Sequence, residues 1–191
     1  MRLISLVILL SSLVAGSTTT AQDIKPPIPY LDRGACPFEC CTYRRWTVEK
    51  DTVVYTQRST TSAVAFRVKK GEHVTGVTGV VMTVKPGKVI VKKAKTIGEE
   101  SKARVKPGDI LYSLHYAGEG IYKVWFRGKL YDEEMPTSPY LITKVPIEQR
   151  EEYLHVVNEP DWTWWVQVKN SRGQIGWTKQ HDHFGNVDAC G

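Results

Sequence analysis

The chain alternates between short apolar runs and short polar gaps. The runs are rich in Val, Ile, Tyr and Trp, and most gaps contain glycine or proline. The predicted strands are residues 52–55, 64–68, 74–84, 89–91, 110–116, 121–126, 164–168 and 175–178. Many short β-type runs separated by tight turns are typical of a barrel or sandwich, so we predict an all-β protein.

The clearest of these patterns is the tryptophan-rich segment at residues 164–177. Its first five residues alternate in polarity with a period of two, which predicts a half-buried strand. Turn-forming residues follow at 170–173, where Gly173 suits a left-handed conformation. The chain then returns and ends in Gly176-Trp177, where the glycine allows another backbone to approach closely. We therefore predict a tight hairpin that closes a small barrel.

A weak internal repeat suggests two copies of one structural unit. The segment at residues 68–74 matches the segment at residues 105–111, and each contains a Gly-acidic turn between two strands. One reading places a first barrel-like unit at residues 43–98 and a second barrel at residues 99–184. A single decorated barrel is the alternative.

The second unit is predicted to carry a long insertion at residues 132–161. This segment holds four prolines and lacks strand alternation. Pro146 suits a first helical position, and Ile147, Leu154 and Val157 would share one helix face. We therefore expect one short helix here, within a loop long enough to be functional or poorly ordered.

The Gly-acidic turns at Gly71-Glu72 and Gly108-Asp109, together with the closing hairpin up to Trp177, resemble the bacterial Src-homology-3-like (SH3b-type) domains. The resemblance covers residues 42–179 and is sharpest over residues 164–178. It implies one or two small barrels and an exported, non-catalytic binding module that acts on wall peptides or polysaccharide.

The ends of the chain indicate export. Residues 1–21 read as a secretory signal peptide, because one arginine precedes an apolar run that is too short for a permanent membrane anchor. Residues 22–42 form a proline-rich leader with a cysteine cluster, and residues 185–191 form a C-terminal tail. We expect a periplasmic or extracellular protein without a membrane span.

Four cysteines lie near the two ends of the chain, and an even number in an exported protein predicts two disulfides. A bond between neighbours is geometrically awkward. Cys190 is therefore expected to pair with one residue of the N-terminal cluster, which leaves the other bridge local. The four residues are Cys36, Cys40, Cys41 and Cys190.

Exposed aromatic side chains are the predicted ligand-binding surface. Trp164 shares a strand face with valines and should be core, whereas Trp165 shares its face with polar residues and is expected to be exposed. Aromatic faces of this kind stack on sugars or peptide side chains. The candidate ligand-binding residues are Tyr112, Tyr116, Trp125, Trp162 and Trp165.

A basic stretch at residues 85–106 is opposed only by Glu99 and Glu100. Such a stretch attracts anionic polymers, but lysines that alternate with valines also form an ordinary solvated strand face. We favour the solvated face, and export further argues against nucleic acid as a partner.

No pattern of catalytic or metal-binding residues is convincing. The cysteines with His181 and His183 could ligate zinc or form a Cys-His peptidase, but an oxidising compartment favours disulfides. Carboxylates at residues 132–134 and 151–152 read as solvated charge. We therefore expect no enzyme activity, no cofactor and no metal.

The expected function is recognition of a cell-envelope component, either wall peptide or glycan, through the exposed aromatics. The first alternative is an envelope structural or assembly factor that binds another protein through residues 132–161. A wall hydrolase is the least favoured alternative.

Overall fold

The computed structural model describes residues 23–137 and 139–190, and most of their regular structure is β. The strands are β1 (Tyr30–Arg33), β2 (Arg45–Val48), β3 (Thr52–Tyr55), β4 (Val64–Val68), β5 (His73–Lys85), β6 (Gly87–Val91), β7 (Lys95–Ile97), β8 (Ala103–Val105), β9 (Ile110–Gly118), β10 (Ile121–Phe126), β11 (Lys129–Glu134), β12 (Leu154–Asn158), β13 (Asp161–Lys169), β14 (Ile175–Thr178) and β15 (Phe184–Gly185). The helices are α1 (Pro139–Lys144) and α2 (Ile147–Arg150), and a 3-10 turn covers His181–His183. The predominantly β architecture is confirmed. The predicted signal peptide lies outside the described residues.

The larger sheet is antiparallel and curls into a half-barrel. Its strands run in the order β15-β2-β5-β13-β14-β3-β4, and β1 pairs with the second half of β5. One core joins residues from both ends of this order, including Trp46 on β2 and Phe66 on β4. Only a curled sheet brings such distant strands around a single core.

A second antiparallel sheet has the order β11-β10-β9-β6-β12, and β7 and β8 form a separate hairpin beside it. Its strands follow the expected alternation, because Tyr122, Val124 and Phe126 on β10 are buried while the residues between them are half-exposed. These side chains share a second core with Ile97 and Val105 from the small hairpin. Period-two burial therefore explains why these residues form strands.

The two sheets repeat one pattern of pairing. In the larger sheet β2 pairs with β5, β5 with β13, β13 with β14 and β15 with β2. In the smaller sheet β6 pairs with β9, β9 with β10, β10 with β11 and β12 with β6. The hairpin β3–β4 lies in the chain between β2 and β5, and the hairpin β7–β8 lies in the same way between β6 and β9.

The repeat is nested rather than sequential. We call β1–β5 with β13–β15 the outer unit and β6–β12 the inner unit, because the inner unit lies in the chain between β5 and its partner β13. This division differs from the predicted units at residues 43–98 and 99–184. Strand β6, placed in the first predicted unit, pairs with β9, and β13 and β14, placed in the second, pair with β5 and β3.

The Gly-acidic turns occupy matching positions in the two units. Gly71 and Gly108 have φ of +89° and +87°, a region that favours glycine. The Glu72 carboxylate accepts the backbone N–H of Lys69 at 2.9 Å, and the Asp109 carboxylate accepts that of Lys106 at 2.9 Å. The sequence repeat thus corresponds to a repeated three-dimensional turn.

The predicted insertion at residues 132–161 is more structured than expected. It contains the end of β11, both helices and all of β12. A short helix does begin beside Pro146 with Ile147, but the prediction that Leu154 and Val157 share this helix is wrong. Leu154 and Val157 lie on β12, which pairs with β6. Alternation at residues 154–158 is too short to be recognised without its partner strand.

Two disulfides join the cysteines, as predicted. The local disulfide links Cys36 and Cys41, and the terminal disulfide links Cys40 and Cys190 across a sequence separation of 150 residues. Backbone hydrogen bonds reinforce the second link, since the N–H of Ala189 donates to the Cys40 carbonyl at 2.8 Å. The C-terminal tail is therefore held beside the N-terminal cysteine cluster.

Candidate functional site

The five aromatic residues predicted to bind ligand do not form one surface. Tyr112 and Trp125 are direct cross-strand partners in the inner unit, and Tyr116 lies opposite Tyr122 nearby. Trp162 and Trp165 belong to β13 in the outer unit. The structure therefore separates the predicted residues between the two sheets.

Trp165 is not an exposed contact residue, so this prediction is wrong. Its side chain is only 4% exposed, and its cross-strand partner Val80 is 3% exposed. Strand β13 lies inside the sheet between β5 and β14, and three consecutive residues from Trp164 are buried. Both faces of the strand are covered at this point, so alternation of polarity does not report solvent exposure here.

The chain's own leader contacts Tyr112 and Trp125. The Tyr112 hydroxyl donates to the carboxylate of Asp23 at 2.8 Å, and the Trp125 indole N–H donates to the carbonyl of Ile24 at 2.9 Å. Tyr112 is only 8% exposed. Burial, reinforced by the hydrogen bond to Asp23, raises the pKa of Tyr112 to about 12. These two aromatics therefore bind a segment of this chain.

Tyr116 and Trp162 are half-buried and also have internal partners. The Tyr116 hydroxyl accepts the backbone N–H of Gly120 at 3.1 Å, and its ring stands edge-on to Tyr122. The Trp162 ring lies 6.0 Å from the ring of His115. The His115 Nε2 atom lies 3.0 Å from the Asp32 carboxylate, which ties β9 to β1.

A different aromatic, Trp177, lines an open groove on the outer unit. We call this feature the Trp177 groove; it has a volume of about 500 Å³. The guanidinium of Arg58 lies 5.1 Å from the centre of the indole ring. The groove residues are Pro29, Leu31, Thr56, Gln57, Arg58, Met82 and Trp177.

The Gly-Trp dipeptide explains how this tryptophan is presented. A Cβ at Gly176 would lie 2.7 Å from the carbonyl oxygen of Tyr55, so only glycine allows β3 to approach β14 so closely. Successive side chains point to opposite faces of a strand. Gly176 is buried, and the next residue, Trp177, is half-buried beside the groove. The sequence pattern therefore held the signal for this surface, although Trp177 was not among the predicted contact residues.

The composition of the Trp177 groove suits an amphipathic ligand. Trp177, Met82, Leu31 and Pro29 provide apolar contact area, and the remaining residues provide an amide, a hydroxyl and a guanidinium. Grooves that combine aromatic surface with a few polar groups are typical of sugar and peptide recognition.

The cysteines and the two neighbouring histidines make structural contacts in the described part of the chain. All four cysteines are in disulfides. His181 and His183 lie in a 3-10 turn. The ring of His181 lies 4.9 Å from that of Trp164, and burial lowers the pKa of His181.

Three carboxylates of the predicted insertion are paired with lysines. Asp132 lies 2.6 Å from the Lys123 ammonium, and Glu152 lies 2.8 Å from that of Lys93. Glu133 is buried, contradicting its interpretation as solvated charge; it accepts hydrogen bonds from Lys95 and from the backbone N–H of Gly98. The two Glu133 contacts hold β11 against β7.

No protein-family model matches the sequence, and comparisons with curated proteins and with solved structures find no match. None of the helices among the described residues is long and apolar enough to cross a membrane. Function is therefore inferred from the surfaces described above.

Proposed function

We propose that the protein is an exported, non-catalytic binding module that recognises a cell-envelope component, either wall peptide or glycan, through the Trp177 groove. The observation that carries this proposal is the indole of Trp177, which lies at the surface beside Met82, Leu31 and Pro29 within a rim of polar groups. An open groove of this composition fits a chain that alternates apolar and polar groups.

The disulfides support a location outside the cytosol. Two disulfides use every cysteine, and such bonds persist in oxidising compartments. The signal-like residues 1–21 agree with this location. Wall components are accessible to a protein in that compartment.

The repeated strand order supports the proposed Src-homology-3-like class. Each unit places a Gly-acidic turn before its longest strand and a hairpin after it. We infer two such domains, one nested in the other. Because a fold can support many functions, the binding activity still rests on the groove itself.

The absence of catalysis is supported by how the reactive residues are used. A cysteine peptidase requires a thiolate, and disulfide-bonded sulfurs do not supply one. Of the carboxylates that could act as an acid–base pair, Asp132, Glu133 and Glu152 hold lysines or a backbone N–H group instead. Wall cleavage by the pure protein would contradict this part of the proposal.

Retention on purified peptidoglycan sacculi tests the binding proposal. We expect Trp177→Ala to reduce retention about tenfold, equivalent to about 1.4 kcal/mol, while the far-UV circular dichroism melt changes little. Tyr153→Ala is the matched control, because Tyr153 is an exposed aromatic just before β12 in the inner unit, away from the Trp177 groove. Equal losses in both variants, or full retention of Trp177→Ala, would contradict the proposal.

A second function is favoured by one observation, the exposed apolar side chains within residues 132–161. Ile142, Ile147, Tyr153 and Val157 are each more than 40% exposed. Exposed apolar side chains mark protein contacts where they form one contiguous patch. An assembly factor that binds through this segment would fail to bind sacculi and would instead crosslink to an envelope protein, and Ile147→Asp would abolish that crosslink.

A further inference from the structure

A second groove in the outer unit is lined by three arginines, Arg45, Arg67 and Arg172. We call it the arginine groove; its volume is about 560 Å³. It is lined by Arg45, Ala65, Phe66, Arg67, Val68, Glu72, His73, Asn170, Ser171, Arg172 and Gln174. We propose that the arginine groove binds an extended peptide segment that carries a carboxylate side chain.

The arginines of this groove have no carboxylate partner among the described residues. Arg45, Arg67 and Arg172 form no ion pair with any carboxylate of the described residues, and Glu72 uses its carboxylate to accept the backbone N–H of Lys69. In the basic stretch at residues 85–106, by contrast, Lys93 pairs with Glu152 at 2.8 Å. The groove therefore presents free guanidinium groups, which bind carboxylates through paired, charge-assisted hydrogen bonds.

Because the two units repeat one strand pattern, the inner unit has a position equivalent to the arginine groove. Glu72 directly precedes His73, the first residue of β5, as Asp109 directly precedes Ile110, the first residue of β9. The β13–β14 turn corresponds to the β10–β11 turn. Beside Asp109, Ile110 and the β10–β11 turn lies the chain's own leader, Asp23-Ile24.

The leader is an extended segment with an acidic side chain followed by an aliphatic one. Its Asp23 carboxylate accepts a hydrogen bond from Tyr112 and the Ile24 carbonyl accepts one from Trp125. At the equivalent cross-strand positions, the outer unit has Thr75 and Lys169, both exposed. The Thr75 hydroxyl and the Lys169 ammonium thus offer donors at the equivalent positions, and the described leader residues do not line the neighbouring arginine groove.

Two features of the arginine groove suit an extended peptide in particular. Residues 65–68 belong to β4, which is the last strand in the order and pairs only with β3. The other edge of such a strand has backbone groups free to pair with an added strand. Arginines at this edge would hold a carboxylate projecting from that added strand.

The turn that carries Arg172 is already fixed in shape. The Asn170 side-chain oxygen accepts the backbone N–H groups of Arg172 and Gln174, both at 3.0 Å. The Asn170 amide also donates to the Gln174 side chain at 2.8 Å. Because the turn is ordered before binding, little conformational entropy is lost when a ligand docks.

Nuclear magnetic resonance titration of the labelled protein tests the proposal with two synthetic peptides, acetyl-Gly-Asp-Ile-Gly-amide and its Asn counterpart. We expect the Asp peptide to shift the amides of residues 65–68 and 170–174, and to bind at least tenfold more tightly than the Asn peptide. Equal binding of the two peptides, or shifts confined to Tyr112 and Trp125, would overturn the proposal.

The repeat supplies a matched control for the arginine. Arg67→Glu should weaken binding of the Asp peptide at least tenfold, whereas Arg104→Glu, the change at the counterpart on β8, should leave it within twofold. Arg172→Gln serves as a second variant, away from the sheet edge, and should also weaken binding. Equal effects at Arg67 and Arg104 would refute the assignment.

Two further measurements separate this proposal from others. Trp177→Ala should bind the Asp peptide as the unaltered protein does, because the inference does not depend on the Trp177 groove. Inorganic phosphate should compete only weakly. If phosphate binds the same residues more tightly than the Asp peptide, the arginine groove is a site for small oxyanions and the peptide proposal is wrong.

Discussion

Replacing Trp165 with phenylalanine should destabilise the protein less than the same replacement at its neighbour Trp164. Both side chains are almost fully buried, at 4% and 2% exposure. The Trp164 indole N–H donates to the Ala35 carbonyl at 3.0 Å, whereas the buried Trp165 indole N–H has no hydrogen-bond partner among the described residues. The two substitutions therefore remove the same side-chain volume. Trp164→Phe also removes a hydrogen bond, whereas Trp165→Phe removes an unpaired buried N–H group.

The size of the difference follows from the two indole groups. An unpaired buried donor costs about 1–3 kcal/mol, and this penalty disappears in Trp165→Phe. A satisfied hydrogen bond contributes about 0.5–1.5 kcal/mol, and this contribution is lost in Trp164→Phe. The Ala35 carbonyl still accepts the Tyr43 hydroxyl, which limits the second loss. We expect the two variants to differ by about 2–3 kcal/mol.

Urea unfolding followed by far-UV circular dichroism measures this difference without relying on tryptophan emission. Trp165→Ala should lose about 3–5 kcal/mol, as expected for a large core aromatic. Trp177→Phe is the control, because Trp177 is half-exposed and its replacement should change stability by less than about 0.5 kcal/mol. If Trp165→Phe loses at least as much stability as Trp164→Phe, the reasoning is refuted.

Three other predictions concern the core, the termini and pH. Gly79→Ala should lower stability by about 1–3 kcal/mol, because the new Cβ would lie 2.2 Å from the Trp164 indole nitrogen and 2.7 Å from the Ala35 carbonyl oxygen. An unchanged melting temperature would contradict this prediction. The double variant Cys40→Ser/Cys190→Ser should lose about 5 kcal/mol of stability on the chain-entropy model, against about 2 kcal/mol for loss of the local disulfide. Equal losses of stability in urea unfolding would contradict this prediction. Burial lowers the pKa of His181 below its ordinary 6.5. The contribution of neutral His181 to the free energy of unfolding is therefore complete above about pH 6.5 and is lost as the pH falls through the lowered pKa. His181→Gln should flatten the acid side of the stability profile, and an unaltered profile would count against this.

Local patterns in the sequence predicted much of the fold. The strand at residues 121–126 has the predicted bounds, and the predicted Gly173 turn has a φ of +80°. The Gly-acidic turns at Gly71 and Gly108 also match in structure as they do in sequence. Alternation and turn chemistry are properties of neighbouring residues, so they can be read from the chain directly.

The remaining features depend on contacts between distant residues. Strand β5 pairs with β13 and not with the next strand along the chain, and no local pattern reveals that choice. Trp165 was misassigned because its exposure depends on what covers the second face of the sheet. Asp23 covers Tyr112 from far away in the sequence, and a proline-rich leader gives no periodicity that would predict it.

The way the inner unit enters and leaves the outer unit has a consequence for engineering. Lys85 and Asp161 are directly opposite each other on β5 and β13, so the intervening segment departs and returns at one point. A short reverse turn grafted between these two positions would convert the long excursion into a simple hairpin. The minimal chain would keep all the residues of both grooves proposed to bind ligands, and the excised piece, being continuous, could be produced separately.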